Sequence, residues 1–323
     1  MAPTDAGVDC FYACGVRAHF WTVVPRLLRR PRPAAPGEEA WRGAVVDPER
    51  GAVPLFGWLR RGGDGSRGVV LVHGLGGSPD SPYLDATARA CAAAGATTLR
   101  LGLRGCDGRA GDFYHAGLTA DLDAALRSPE LRACERLAVI GFSLGGHLVI
   151  RHATEDHDPR LEKVAAVCSP LELQPAQQSF DRAVSWPYRL YVLGRLKRVY
   201  AEIARLGAVP TPVARVQRVR TIREWDRLTV VPRFGFASPE DYYERASAGP
   251  RLDRLRIPAL VVACPSDPMV PASSIRAAAA AAGGAVDLRW APRGGHVAFP
   301  GDLDLGMPGA RGLGGQLAAW LVG

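Results

Sequence analysis

Apolar residues recur along this chain in two patterns, and the patterns alternate. Gly68-Val69-Val70-Leu71-Val72 is a continuous apolar run ending at His73-Gly74. A run with no polar face predicts a strand covered on both sides, as in a parallel sheet under helices. Ala96 to Leu101, Arg136 to Phe142, Val164 to Cys168, Ile257 to Ala263 and Val286 to Trp290 also read as strands. Helical patterns fall between them: Tyr83 to Ala94, closed by Gly95, then Leu118 to Leu126, Leu144 to Thr154 and Ser273 to Ala282, with a last one near Leu313 to Leu321. Ahead of them, Ala44 to Val46 and Val53 to Leu59 read as strands joined by a turn at Pro48 and Gly51. The alternation predicts an α/β fold built on a mostly parallel, doubly wound sheet.

The rhythm stops over residues 171–250. No strong strand run occurs there, and Pro175, Pro187, Pro210, Pro212 and Pro232 punctuate it. The organisation expected is a lead-in over 1–40, a core from 41–170 and 251–323, and a helical cap insertion over 171–250. The insertion mixes large apolar side chains (Phe180, Trp186, Tyr188, Leu190, Tyr191) with Arg195, Arg198, Arg215, Arg218 and Arg220. The expectation is that the apolar set lies beneath the cap and forms an acyl pocket. The arginines then face outward, offering a peripheral contact to an anionic membrane. A merely solvated basic surface is the competing reading.

Bulk properties narrow the function class. With 323 residues, 47% of them hydrophobic and 22% charged, the chain can bury one large core and does not read as disordered. The formal charge of +8 comes almost wholly from arginine, since Lys163 and Lys197 are the only lysines. No aromatic-basic module or zinc-finger spacing accompanies it, so nucleic acid is not an expected partner. The seven scattered cysteines complete no zinc pattern and suit a reducing compartment. The stretch from Val8 to Val24 is interrupted by Arg17 and His19, and Asp5 and Asp9 do not suit an export signal. A cytoplasmic protein is expected.

Gly141-Phe142-Ser143-Leu144-Gly145 carries the chemistry. A serine between a buried strand and an apolar helix, with glycines two residues to either side, fits a tight turn that presents its hydroxyl at the sheet edge. A serine nucleophile needs a base, and the base needs an orienting carboxylate. His296, in Arg293-Gly294-Gly295-His296-Val297, follows the last strand and is the expected base. Asp267, just past the strand ending at Ala263, is the expected acid; Asp253, Asp287 and Asp302 follow no buried strand so directly. His147, His152 and His157 lie on or just after the helix opened by Ser143 and are expected on its surface. The oxyanion is expected to meet the backbone N–H groups of Leu144 and of Leu75 in His73-Gly74-Leu75-Gly76-Gly77-Ser78. His73 is expected to hold that loop by hydrogen bonding. Tyr114 and His115 are expected to pack and bond below the site.

Several strings together resemble the YheT-like, embryogenesis-associated branch of the α/β-hydrolases, which includes the ABHD1/ABHD3-type lipases. They are His73 to Ser78 with Ser81-Pro82-Tyr83; Leu103-Arg104-Gly105-Cys106; Tyr114 to Asp121; Gly141 to Gly146; Ser169-Pro170-Leu171; Ser238 with Asp241-Tyr242-Tyr243 and Ala246-Ser247; Asp267-Pro268-Met269; and Gly294 to Val297. His19-Phe20-Trp21-Thr22 looks like the opening segment of that branch. The resemblance implies the α/β-hydrolase fold and carboxylic ester hydrolysis without metal or organic cofactor. It places Ser143, Asp267 and His296 at the triad positions. Gly102 stands where the branch often has asparagine, and Ser266 where it commonly has a first aspartate. Those departures leave the substrate open, from small-molecule to lipid-like, medium-to-long acyl esters. An acyltransferase using the same triad and a silent hydrolase-fold binding protein are the alternatives. The oligomeric state is left open.

Overall fold

The computed structural model describes residues 18–23, 33–63, 65–282, 284 and 286–322. Most of the apolar lead-in over 11–28, with Cys10 and Cys14, lies outside them. Its described part, 18–23, is helical (α1). Eight strands form one sheet in the order β1-β2-β4-β3-β5-β6-β7-β8. β1 (Glu39–Asp47) and β2 (Gly51–Arg60) pair antiparallel, and β2 runs antiparallel to β4 (Thr97–Gly102). From β4 onward every pairing is parallel, through β3 (Arg67–Val72), β5 (Arg136–Phe142), β6 (Leu161–Val167), β7 (Ala259–Ala263) and β8 (Val286–Trp290).

The continuous apolar runs have a direct physical cause. In β3, Val70 and Val72 join one hydrophobic cluster while Val69 and Leu71 join another on the opposite face. β5 divides the same way, Val139 to one side and Ile140 with Phe142 to the other. Side chains alternate across a strand, so helices on both faces demand apolar residues at every position. α2 (Pro82–Ala93) and α12 (Gly312–Val322) cover one face with Leu84, Ala88 and Leu317. α3 (Ala120–Leu126), α4 (Leu144–Ala153) and α11 (Ala272–Ala281) cover the other with Leu122, Leu148 and Ile275. β1 is longer than its apolar stretch indicates. It lies at the sheet edge, where Glu39, Ala40 and Arg42 are exposed and the continuous run is not required.

Between β6 and β7 the chain leaves the sheet for helices: α5 (Leu173–Asp181), α6 (Trp186–Leu206), α7 (Val213–Val216), α8 (Ile222–Leu228), α9 (Val230–Phe234) and α10 (Pro239–Ala246). A capping box of Thr221 and Glu224 starts α8, and Ser238 caps α10. These helices share a hydrophobic cluster with Phe113 and Ala116, and Leu75 and Leu144 pack against it. No described helix is long and apolar enough to cross a membrane.

A buried ion network ties this helical segment to the sheet. The Arg104 guanidinium donates to Asp121 Oδ1 from Nε at 2.8 Å and to Asp47 Oδ2 from Nη1 at 2.8 Å. Arg233, on α9, donates to Asp112 Oδ1 at 2.9 Å and Asp47 Oδ1 at 3.0 Å. Both guanidinium groups and all three carboxylates are buried. Burying such charges is costly, and removing one partner strands the others. Arg104→Leu is expected to destabilise the fold by about 3–5 kcal/mol. Denaturant unfolding checks this, and a loss below about 1 kcal/mol would show that the carboxylates find solvent or other partners.

Candidate active site

β5 delivers Ser143 at its C-terminal end, and α4 starts at the next residue. Ser143 has φ 53° and ψ −125°, a left-handed conformation that a side chain adopts only when its surroundings enforce it. The flanking glycines show what enforces it. A Cβ on Gly141 would sit 2.3 Å from the carbonyl oxygen of Gly145, and one on Gly145 would sit 2.3 Å from that of His73. The turn is therefore wedged between its own helix and the loop after β3.

Ser143 Oγ lies 2.9 Å from His296 Nε2, and His296 Nδ1 lies 2.9 Å from Asp267 Oδ2. Asp267 is itself held: its Oδ1 accepts from the backbone N–H of Met269 at 2.8 Å and of Val270 at 3.2 Å. Asp267 and His296 are buried. The loop after β3 runs alongside. Tyr83 Oη accepts from Gly74 N–H at 3.1 Å and Tyr114 Oη from Gly76 N–H at 2.9 Å, while Gly77 N–H closes a turn on Gly74. The N–H of Leu75, between them, makes no hydrogen bond to a described residue. The N–H of Leu144 opens α4, where no helical partner exists.

A cavity of about 150 Å³ opens beside Ser143 and His296 and runs under α5, α6 and α8. Leu173, Phe180, Val192, Leu196 and Trp225 give it an apolar wall.

Residues 69–303 match the family model described as alpha/beta hydrolase family. The chain belongs to that family. A putative esterase, YheT of Escherichia coli, is 30% identical over 88% of this chain and 84% of its own length. A monoacylglycerol lipase of Saccharomyces cerevisiae is 25% identical over 62% of this chain, but only 48% of that protein is spanned. Among solved structures, the Pyrococcus furiosus esterase Pf2001 superposes with a TM-score of 0.55 at 16% identity, over 83% of this chain and 87% of that one. That likeness speaks for the fold. The relatives put this alpha/beta hydrolase in the branch of YheT and ABHD3.

Two expectations about this alpha/beta hydrolase need correction. His147 and His152 are not on the helix surface: both are buried. His147 faces the carbonyls of Pro170 at 2.6 Å and Ala246 at 2.9 Å, linking α4 to the ends of β6 and α10. Burial holds its pKa below the ordinary histidine value, so the neutral ring donates through one nitrogen at a time. His157 is half-buried. Secondly, Trp186, Leu190 and Tyr191 do not line the cavity; they are 59%, 65% and 42% exposed. The α6 face that turns inward instead carries Val192, Leu196 and Tyr200. Tyr188 is half-buried against the helical cluster, and of the five apolar residues Phe180 alone lines the cavity.

His73 accepts the N–H of Leu103 on Nε2 at 3.2 Å, and its Nδ1 meets the carbonyl of Gly74 at 2.8 Å. Burial lowers its pKa to about 4, so it is a neutral fastener of the loop. His115 is likewise lowered by burial, to about 3, and packs among Phe234, Phe236 and Tyr242. Cys168 Sγ approaches Asp267 and His296 closely enough for the three to suggest a metal set. The donor chemistry does not fit one: burial and then the Asp267 charge push the thiol pKa well up, and Asp267 and His296 already bond each other.

The local sequence carried no signal for Thr22 as a partner of His296. Its Oγ1 accepts the backbone N–H of His296 at 2.9 Å and donates to the carbonyl of Ala18 at 2.8 Å. A Cβ on Gly295 would sit 2.4 Å from that oxygen, so α1 lies directly on the histidine loop. Thr22→Val keeps the shape and leaves a buried N–H unpaired, which costs about 1–3 kcal/mol. A roughly tenfold fall in kcat is expected, with recovery in Thr22→Ser. Steady-state kinetics of the three proteins checks this; an unchanged kcat in Thr22→Val would show that the loop holds itself.

Proposed function

We propose that the protein hydrolyses carboxylic esters through an acyl-enzyme on Ser143. The observation that carries this is the unbroken hydrogen-bond chain Ser143–His296–Asp267 at the mouth of an apolar cavity. Ser143 Oγ attacks the ester carbonyl carbon as its proton passes to His296 Nε2. The carbonyl electrons move onto oxygen, and the N–H groups of Leu75 and Leu144 receive that charge. Collapse breaks the bond to the alcohol oxygen, which takes the proton from His296. Water then attacks the acyl carbon, gives its proton to His296, and releases the acid as Ser143 is reprotonated. Asp267 holds His296 in the tautomer that leaves Nε2 free to accept, and stabilises the imidazolium formed at each attack. Gly74 gives the substrate room, since a Cβ there would sit 3.0 Å from Ser143 Cβ.

The helical segment over 171–250 acts, in this reading, as a cap whose underside receives the acyl chain. A cavity of about 150 Å³ has the volume that accepts a benzene ring. That suits a medium-length chain better than an acetyl group. The outer face of α6 supports a peripheral contact with anionic lipid. Trp186 and Leu190 are exposed one helical turn apart, and Arg198 is exposed two further turns along.

Ser143→Ala is expected to lower kcat by on the order of 10³-fold or more, and Asp267→Asn by about 10²–10⁴-fold, with the fold intact by circular dichroism. Retention of more than about a tenth of the activity in Ser143→Ala would remove the serine from the mechanism. Each buried methylene is worth about 0.8 kcal/mol, so kcat/KM on an ester panel is expected to climb from acetyl to hexanoyl by on the order of 10²-fold. A preference for acetyl esters would rule out the acyl cavity. Sedimentation with anionic vesicles is expected to retain the protein at low salt and release it at high salt; no retention at low salt would confine the arginines to an ordinary solvated surface.

A further inference from the structure

Away from Ser143 and His296 the cavity wall is mostly apolar, and the one carboxyl in its lining stands on α8. Asp226 lines it and is only 7% exposed. Tyr243 donates its hydroxyl to Asp226 Oδ2 at 2.7 Å. The other oxygen, Oδ1, receives no hydrogen bond from a described residue. Burial raises the carboxyl pKa to about 7, against the pull of the Tyr243 bond, with the Asp181 charge adding to the rise. Asp181 itself is fully engaged. Its Oδ1 accepts from Ile222 N–H at 2.8 Å, and its Oδ2 accepts from Arg223 N–H at 3.1 Å and from Gln177 Nε2 at 2.6 Å. Gln177 also lines the cavity. One N–H of its amide is taken by Asp181, and among the described residues the other makes no hydrogen bond to Asp226.

A half-satisfied carboxyl in an apolar wall is unfavourable unless something completes its hydrogen bonding. The unmatched atom of Asp226 is an acceptor, and Tyr243, the donor bonded to the carboxyl, is already spent. The missing partner is therefore a donor. A hydroxyl suits the site better than an ammonium group, because it donates to the ionised carboxylate and also accepts from the protonated acid. Asp226 sits on the cap helix α8, whereas Ser143 sits at the β5–α4 turn, and one cavity reaches both. A chain esterified at the Ser143 end presents its far end to the cap.

We infer that Asp226 is a specificity-determining residue that receives a hydroxyl on the distal part of the acyl chain, making hydroxylated medium-chain esters the preferred substrates. This rests on the acyl-enzyme reading, with the acyl group in the cavity.

The test compares p-nitrophenyl esters of the saturated acids from butanoyl to dodecanoyl with their ω-hydroxy counterparts on the full chain. At one or two lengths the hydroxy ester is expected to exceed its parent about tenfold in kcat/KM. Asp226→Leu combined with Tyr243→Phe removes both polar partners without stranding either, and is expected to reverse the preference. Tyr243→Phe alone leaves the carboxyl in place and is expected to keep it. If Asp226 merely supports Tyr243, both ester series fall together in every variant and the ratio does not move; that outcome overturns the inference. So does a wild-type protein that favours the parent ester at every length, whether or not the variants fold. Ser143→Ala in the same assay separates the two readings. Parent esters that wild type turns over and Ser143→Ala does not would leave the acyl-enzyme standing even if the hydroxyl preference is absent.

Discussion

The left-handed turn at Ser143 is the constraint on which the rest of the site depends. A residue with a side chain at φ 53° costs on the order of 1–3 kcal/mol, and the surrounding structure must supply it. It does so by closeness. Gly141 and Gly145 let the strand, the helix and the loop after β3 approach to distances that no Cβ would permit. The same approach brings the Leu75 loop beside Ser143, so one packing arrangement positions both the hydroxyl and the two free N–H groups. The histidine loop uses a second set of supports. Val297 also has a positive φ, and His296 is held by Asp267 on its ring and Thr22 on its backbone.

The helical segment is not a loose addition to this frame. Arg233 reaches down from α9 to the carboxylates that also hold Arg104, so the end of β1, the loop after β4, the start of α3 and the helices between β6 and β7 share one buried network. His147 adds a second fastening from α4 to the end of α10. Between those ties the segment covers a cavity whose wall combines apolar packing with one carboxyl. The proposed chemistry and the proposed selectivity therefore share a single cavity.

What was legible in the sequence was local or periodic. β3, β5 and β7 announced themselves as nearly uninterrupted apolar runs, because helices cover both their faces. Ser143, Asp267 and His296 follow β5, β7 and β8, so chain order alone places them at one edge of the sheet. Contacts between distant segments left no such trace. Thr22 and His296 are far apart in sequence, and nothing near either residue points to the other. His147 and His152 read as surface because a histidine's burial depends on what packs over its helix. Trp186, Leu190 and Tyr191 read as cavity lining because they are large and apolar, yet the inward face of α6 was decided by Val192, Leu196 and Tyr200 one helical stripe away. Asp226 gave no signal, since a buried acid and a helix-surface acid look alike in one sequence.

The most direct measurement is covalent trapping. Native protein treated with a fluorophosphonate and mapped by peptide mass spectrometry should carry one adduct, on the peptide containing Ser143, and prior treatment with a slowly hydrolysed medium-chain ester should block it. An unlabelled Ser143 in a protein that still turns over esters would contradict the account, as would an adduct on any other residue.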